Sequence, residues 1–344
     1  MKKCLLILTT VLCFNSTYSQ VLYSENFDNL SIGNLGTDPS GVTPGQGGWY
    51  TVSYTQSNSF FTIVNETGRG KVLAMTTGVT DKESLAAIKK ISHTTIANRL
   101  PGNDVFMLEI DYYTGSNQPR GGNDVGSKIN ILSYIDGDPL NETHLLSHFS
   151  FDKSNGNVGS RSGSGKLPFN TWVKIIFYLD YPNEKAYLHI PYLNDAFSHD
   201  IPKHPATTNL IEEYPISEIN LIGSYVNSQT NPVLSYIHNR YDNIKLTAIN
   251  EVPPEVITLS VNEQLAEKFN LYPNPASNVV NITNNENMYV KEVAVYDTTG
   301  KLISTQNFNE QTEIQLNVEN LASGTYMLHL QTNEGTAVKK LVKK

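Results

Sequence analysis

The sequence predicts an all-β chain made of a large sandwich followed by a smaller one. Three observations carry that expectation. Apolar residues alternate with polar ones over short runs instead of recurring at helical spacing. Gly, Asn and Pro turns separate the runs. The pattern then breaks once, at Pro253-Pro254, where a chain of 344 residues is expected to change domain.

The first element is a leader. Lys2 and Lys3, the apolar run Leu5 to Phe14 and the approach Thr17-Tyr18-Ser19 read as a secretory signal peptide over residues 1–19. The run is too short for a membrane span, and no later stretch reaches the roughly 18 apolar residues a span needs. Bulky Val11 and Leu12 before Cys13 fit a lipid-attachment site poorly. Cys4 and Cys13 leave with the leader, so the mature chain is expected to hold no disulfide, thiol nucleophile or thiolate metal site. Losing Lys2 and Lys3 takes the formal charge from −8 to −10. An acidic chain with no basic run is a poor partner for nucleic acid or anionic membrane.

The large domain is expected over residues 20–250. Its runs include VFMLEIDYYTG, SKINILSYIDG, HLLSHFSF, WVKIIFYLDY, KAYLHI, INLIGSYV and YDNIKLTAI, and together they read as a β-sandwich or jelly roll. DKESLAAIKKI, Asp81 to Ile91, fits either a short helix or a loop and strand. No fixed repeat appears, which argues against a propeller or solenoid. Ser154 to Lys166 reads as a mobile loop, and Trp49 and Tyr50 as exposed platforms after a Gly-rich loop.

Alternation splits each run into two faces. Phe106, Leu108, Ile110 and Tyr112 share one; Glu109, Asp111 and Tyr113 share the other. Ile129, Ile131, Ser133 and Ile135 oppose Asn130 and Tyr134. Leu145, Phe149 and Phe151 oppose His144 and His148. Val173, Ile175, Phe177 and Leu179 oppose Trp172, Lys174 and Tyr178, while Ala186, Leu188 and Ile190 oppose Lys185, Tyr187 and His189. If these strands share one sheet, the polar face suits a glycan groove. Its lining would be Glu109, Asp111, Tyr113, Asn130, Tyr134, His148, Tyr178, Tyr187 and His189, with rings for sugar CH faces and polar groups for hydroxyls. An antiparallel sheet with one wet face shows polar residues anyway.

YSENFD, GGWYTV, NTWVKIIFYLD with PNEKAYLHI, and the closing YDNIKL resemble the concanavalin A-like lectin and glucanase fold. The resemblance implies a jelly roll and names no substrate. In the glucanases of that fold a strand presents Glu, Asp and a second acid on alternate positions. EIDYYTG supplies Glu109 and Asp111, but the acid's positions hold Tyr113 and Thr114, so this is not that family's catalytic strand. Polysaccharide lyases of the same fold use Tyr and His as base and acid. Tyr113, Tyr187, His148 and His189 supply those types, with Arg120 or Arg161 to neutralise a carboxylate. The lyases' strand motifs are not present.

No zinc site is expected, because His144 and His148 stand about 13 Å apart on an extended strand. No cofactor is expected either. Calcium could be held by Asp136 and Asp138, or by Asp152, Asn155 and Asn157, although both sets also read as ordinary turns.

A stiff linker is expected over residues 251–268, then a small immunoglobulin-like β-sandwich over residues 269–344. LYPNPASNVVNI leads into a strand, KEVAVYDTTGKLI reads as a hairpin, and Asn333-Glu334-Gly335 turns a second one. Pro273, Asn274 and Pro275 of YPNP, Gly324 and Tyr326 of SGTY, and Lys339 and Lys340 of the terminal KKLVKK resemble the C-terminal sorting domain of the type IX secretion system of Bacteroidota. The resemblance implies a translocon and a sortase-like protease as partners, and release or fixation at the cell surface. The expected function is glycan binding without catalysis; a polysaccharide lyase or glycoside hydrolase, and a structural or adhesive surface protein, are the alternatives.

Overall fold

The computed structural model describes residues 19–77, 84–118, 126–134, 143–159, 164–203, 209–224, 237–284, 286, 288–297, 302–333 and 335–344. The leader with Cys4 and Cys13, the Asp136 and Asp138 turn, Arg120, Arg161 and Ile135 lie outside the described residues.

The large domain is built from β1 (Gln20–Glu25), β2 (Gly33–Asn34), β3 (Trp49–Ser53), β4 (Phe61–Glu66), β5 (Gly70–Thr76), β6 (Ser84–Lys90), β7 (Val105–Tyr113), β8 (Gly126–Tyr134), β9 (Thr143–Asp152), β10 (Asn157–Gly159), β11 (Ser164–Lys166), β12 (Trp172–Asp180), β13 (Lys185–Ile190), β14 (Asp195–Asp200), β15 (Glu218–Ser224) and β16 (His238–Ile249). Two short helices, α1 (His93–Ala97) and α2 (Leu210–Glu213), lie between strands. Sheet A runs β14, β13, β12, β7, β16, β5, β4, β2, with β1 also paired to β16; sheet B runs β11, β10, β9, β8, β15, β6, β3. The pairings are antiparallel, and the two sheets form a lectin-like sandwich.

Alternation places the core between the sheets. From β7, Phe106, Leu108, Ile110 and Tyr112 are buried there against Ile129 and Ile131 of β8, Phe149 and Phe151 of β9, and Ile175 and Phe177 of β12. Each such side chain contributes about 1.5–3 kcal/mol by leaving water. A polar thread crosses this core. The Tyr112 hydroxyl donates to Ser127 Oγ at 2.8 Å, Ser127 donates to Asn239 Oδ1 at 2.8 Å, and the Asn239 amide donates to Tyr241 Oη at 3.4 Å. Because each member is buried and bonded, the thread fixes how β7 and β16 of sheet A face β8 of sheet B.

Several sequence expectations need correction. Ser84 to Lys90 is a strand, the loop-and-strand reading, while the helix α1 begins only at His93 under a Ser92 N-cap. A bulge in β9 shifts its register between Ile131 and Leu132 of β8, so Leu146 rather than Leu145 is buried and His144 packs edge-on against Tyr214 at 4.8 Å. Trp49 is fully buried, and only Tyr50 faces outward. In the Ser154 to Lys166 segment, β10 and β11 pair as a hairpin. Asp152 accepts bonds from Ser154 N–H, Ser154 Oγ and the Asn155 amide, while Asn155 Oδ1 accepts from Asn157 N–H. The turn reading accounts for these residues.

The stretch expected as a linker is mostly helix, α3 (Pro254–Glu267). Proline at its first position lacks only an N–H that a helix start leaves unused. Val252, Val256 and Leu259 pack on sheet A, whereas Leu265 and Ala266 belong to the core of the tail. That tail holds β17 (Phe269–Tyr272), β18 (Val279–Asn284), β19 (Val290–Asp297), β20 (Leu302–Gln311), β21 (Glu313–Asn317), β22 (Gly324–Thr332) and β23 (Gly335–Lys343), in a sheet β17, β18, β21 and a sheet β20, β19, β22, β23. Both expected hairpins, β19 with β20 and β22 with β23, are formed.

Candidate functional site

The candidate lining residues divide between the two outer faces of the sandwich. Glu109, Asp111, Tyr113, Tyr178, Tyr187 and His189 stand on sheet A, and Asn130, Tyr134 and His148 on sheet B. The core lies between the two groups, so a single groove through all nine does not exist. The tyrosines and histidines named for a lyase divide likewise: His148 faces away from Tyr113, Tyr187 and His189, which share sheet A. Pairing across a sheet is nonlocal, and alternation within a strand cannot tell which sheet the strand joins.

On sheet A the EIDYYTG strand is held in a charge network. Glu109 Oε2 lies 2.6 Å from Lys245 Nζ and Oε1 3.7 Å from Lys174 Nζ; Asp111 Oδ1 lies 3.1 Å from the same lysine. Arg69, from the turn between β4 and β5, pairs with Asp111 and reaches Asp242 through Nε at 3.1 Å while stacking over Trp172 at 4.1 Å. Asn243, left-handed at a bulge in β16, donates to Asp111 Oδ2 at 3.0 Å. Burial works against the Asp111 carboxylate, yet the bonds from Asn243 and Lys174 and the charges of Lys174 and Arg69 outweigh it and lower its pKa. At Asp242 burial prevails and the pKa rises. Tyr113 rests beside Trp172 and His238, with Arg240 over its ring. These carboxylates are ion-paired and serve to order the sheet.

Sheet B presents a different surface. Register places Tyr50, Ile88, Asn220, Asn130 and His148 side by side across five strands. Four interstrand steps make this row about 19 Å long. Ile222 and Lys128 flank it on one side; Glu218 and Lys90 flank it on the other, with Lys90 over the Tyr50 ring at 4.6 Å. Asn220 is only 9% exposed, and its Oδ1 has no hydrogen-bond partner among the described residues. Beyond Lys90 and Glu218 the face opens into a cavity of about 830 Å³ lined by His93, Tyr134, Glu212 and Ser217 among others. The alternation applied to β7 would have found Asn220 in INLIGS and Tyr50 in WYTVS. Arg69 gave no signal, because ETGRGK reads only as a turn.

In the tail, the motif residues hold the terminal strand. The Asn274 amide donates to the Lys340 carbonyl at 2.9 Å, and its Oδ1 accepts from Val342 N–H at 2.9 Å. Ala276 N–H donates to the Val342 carbonyl at 2.8 Å, and the peptide bonds before Pro273 and Pro275 are both cis. Tyr326 donates to the Ala322 carbonyl at 2.9 Å, and Gly324 pairs with Lys343. Lys339 and Lys340 lie on β23 opposite Leu328 and Met327.

Residues 270–344 match the family of the secretion system C-terminal sorting domain. The tail is a sorting domain. It marks the protein for secretion or display at the cell surface, as the type IX resemblance implied. Among the described residues no helix is long and apolar enough to cross a membrane. No curated protein matches the chain. Solved structures similar to it include a sialidase at 10% identity and TM-score 0.39, over 66% of this chain but 18% of the sialidase. An alginate lyase bound to an alginate tetrasaccharide is 18% identical over 66% of this chain and 96% of its own, with TM-score 0.38. Lectin II from Ulex europaeus is 13% identical over 65% and 97%, with TM-score 0.38. No functional residue is carried over from these proteins.

Within the sorting domain, Asn274→Ala is expected to remove two bonds and cost about 1–2 kcal/mol. Faster hydrogen exchange at Val342, with a lower exported yield, would register the loss; unchanged exchange would show that Asn274 does not hold β23.

Proposed function

We propose that the protein is an exported glycan-binding protein that holds a hydroxyl-rich chain on the outer face of sheet B. The observation that carries this reading is the row in which Asn220, Asn130 and His148 continue on from Tyr50 and Ile88, with the buried Asn220 Oδ1 unsatisfied among the described residues. An amide offers both donor and acceptor to neighbouring hydroxyls. Tyr50, Ile88 and Ile222 supply apolar surface for the CH faces of the rings. The cavity past Glu218, with Tyr134 at its wall, extends the track by one further subsite.

Binding without catalysis suits the spacing. Tyr134 stands four residues from Asn130 along β8, roughly 13 Å at the strand rise, and Tyr50 stands four strands from His148. Proton removal and return by a Tyr and His pair requires both within hydrogen-bond reach of one sugar. Tyr50 and Tyr134 do not meet that condition with His148. The second reading, a lyase, draws on His148 standing directly opposite Asn130.

The test is retention of the purified protein on a panel of neutral and acidic polysaccharides, with unsaturated-uronate absorbance and reducing ends followed in the same samples. Retention without product is expected. Asn220→Ala and Asn130→Ala should each weaken it about tenfold, the equivalent of roughly 1.4 kcal/mol for one lost hydrogen-bonding group. Product formation would replace this reading with the lyase. Neither retention nor product would leave a structural or adhesive surface protein.

A further inference from the structure

The outer face of sheet A carries a second ordered row, and α3 lies on it. Register aligns Ser198, Tyr187, Tyr178, Met107 and Thr247 across β14, β13, β12, β7 and β16. The adjacent row begins Ala196, His189, Ile176. Tyr178 and Tyr187 are a directly opposed cross-strand pair, placing their Cβ atoms about 4.5–5.5 Å apart. They are 4% and 7% exposed because Val252, Val256 and Leu259 press on them.

The fit between helix and face is incomplete. His189 Nδ1 and Thr247 Oγ1, both on this face, are buried with no hydrogen-bond partner among the described residues. A permanent cover is expected to satisfy polar groups it takes from water, since each left unsatisfied costs about 1–3 kcal/mol. Against His189, α3 offers valine and leucine, with Glu255 as the helix's charge that acts on Tyr178 and His189. The helix is also tied elsewhere, as Leu265 and Ala266 are part of the sorting domain's core. Movement of that domain therefore draws on the cover.

We propose that α3 is a removable cover over a second binding face, on which Tyr178, Tyr187 and His189 take an extended neutral glycan once the helix is lifted. Paired tyrosines offer flat apolar surface to sugar rings, and the Ser198, His189 and Thr247 polar groups meet hydroxyls. Neutrality fits the row itself, which carries no Lys, Arg, Asp or Glu from Ser198 to Thr247, and the His189 row, which runs on through Ile176 to Glu109, has that charge paired with Lys245. This face is distinct from the sheet B row, so the two succeed or fail independently.

The experiment uses the full chain with Val256→Asp, which puts a charge where α3 meets the tyrosines. Hydrogen exchange confirms that α3 has been released; if it stays seated, Val252→Asp is added and the doubly substituted protein is read instead. Retention on insoluble cellulose, chitin and β-glucan should rise about tenfold in the released protein. Adding Tyr187→Ala should abolish the gain, whereas adding Asn220→Ala should leave it. A released helix with no gain on any of the three polymers would overturn the proposal. So would a gain that survives Tyr187→Ala together with Tyr178→Ala, which would show only general adhesiveness.

Discussion

Arg69→Met is expected to lower the unfolding temperature of the large domain by about 5–10 °C. Arg69 is the cation shared by Asp111 and Asp242, and Asp242 is 2% exposed. Removing one member of a buried pair leaves a charge without compensation, at about 3–5 kcal/mol. Arg69 itself keeps 23% of its side chain exposed, so solvent screening reduces the figure to about 2–3 kcal/mol. For a domain of this size each kcal/mol moves the midpoint about 2–4 °C. The stack on Trp172 is lost as well. Arg69→Lys should recover only part of the loss, because an ammonium lacks the guanidinium's fork and flat face. The added substitution Asp242→Asn should restore several degrees, as it removes the stranded charge. Scanning calorimetry of these proteins and of Asp242→Asn alone decides it; additive effects of Arg69→Met and Asp242→Asn would show that the pair is not coupled.

Lys153→Met should stabilise the protein, and more strongly in acid than in base. Lys153 is 1% exposed, donates to the His238 carbonyl at 2.7 Å, and burial lowers its pKa from 10.5 to about 7. His238 beside it also has a lowered pKa, through burial and through Arg240 and Lys153, with Glu66 acting the other way. Between these limits the unfolded chain binds a proton that the folded chain does not, so stability rises with pH over that window. Below about pH 7 the penalty is fully present, on the order of 5 kcal/mol for a shift of this size; by pH 10.5 it has gone. Methionine keeps the buried stem without the charge. Urea unfolding at pH 6 and pH 10 should show a large gain and almost none. Equal gains at both values would mean that Lys153 does not titrate in the folded protein.

The strands were legible because each turns one face to a core, and period-two alternation in VFMLEIDYYT or WVKIIFYL records that directly. Sheet membership left no such trace. Glu109 and Asn130 stand at equivalent positions in similar runs, yet β7 joins sheet A and β8 joins sheet B. The bulge at Leu146 was equally hidden, since one extra residue in HLLSHFSF reverses the pattern without changing its composition. α3 escaped notice for another reason. Its first half faces one core and its second half another, so EVITLSVNEQLAE shows no single apolar stripe. The sorting motif was legible because it is local, although the purpose of Asn274, bonding a strand some 66 residues away, was not.

A helix rooted in two cores also sets a path for mechanical load. Tension on the sorting domain enters α3 through Leu265 and leaves it through Val256 against β13 and β14. They lie at one edge of sheet A, where β14 is held on one side only. A pull delivered there peels the hairpin one hydrogen bond at a time instead of shearing the whole sheet, so the sandwich should yield first at β14 while the Tyr112 to Tyr241 thread stays closed.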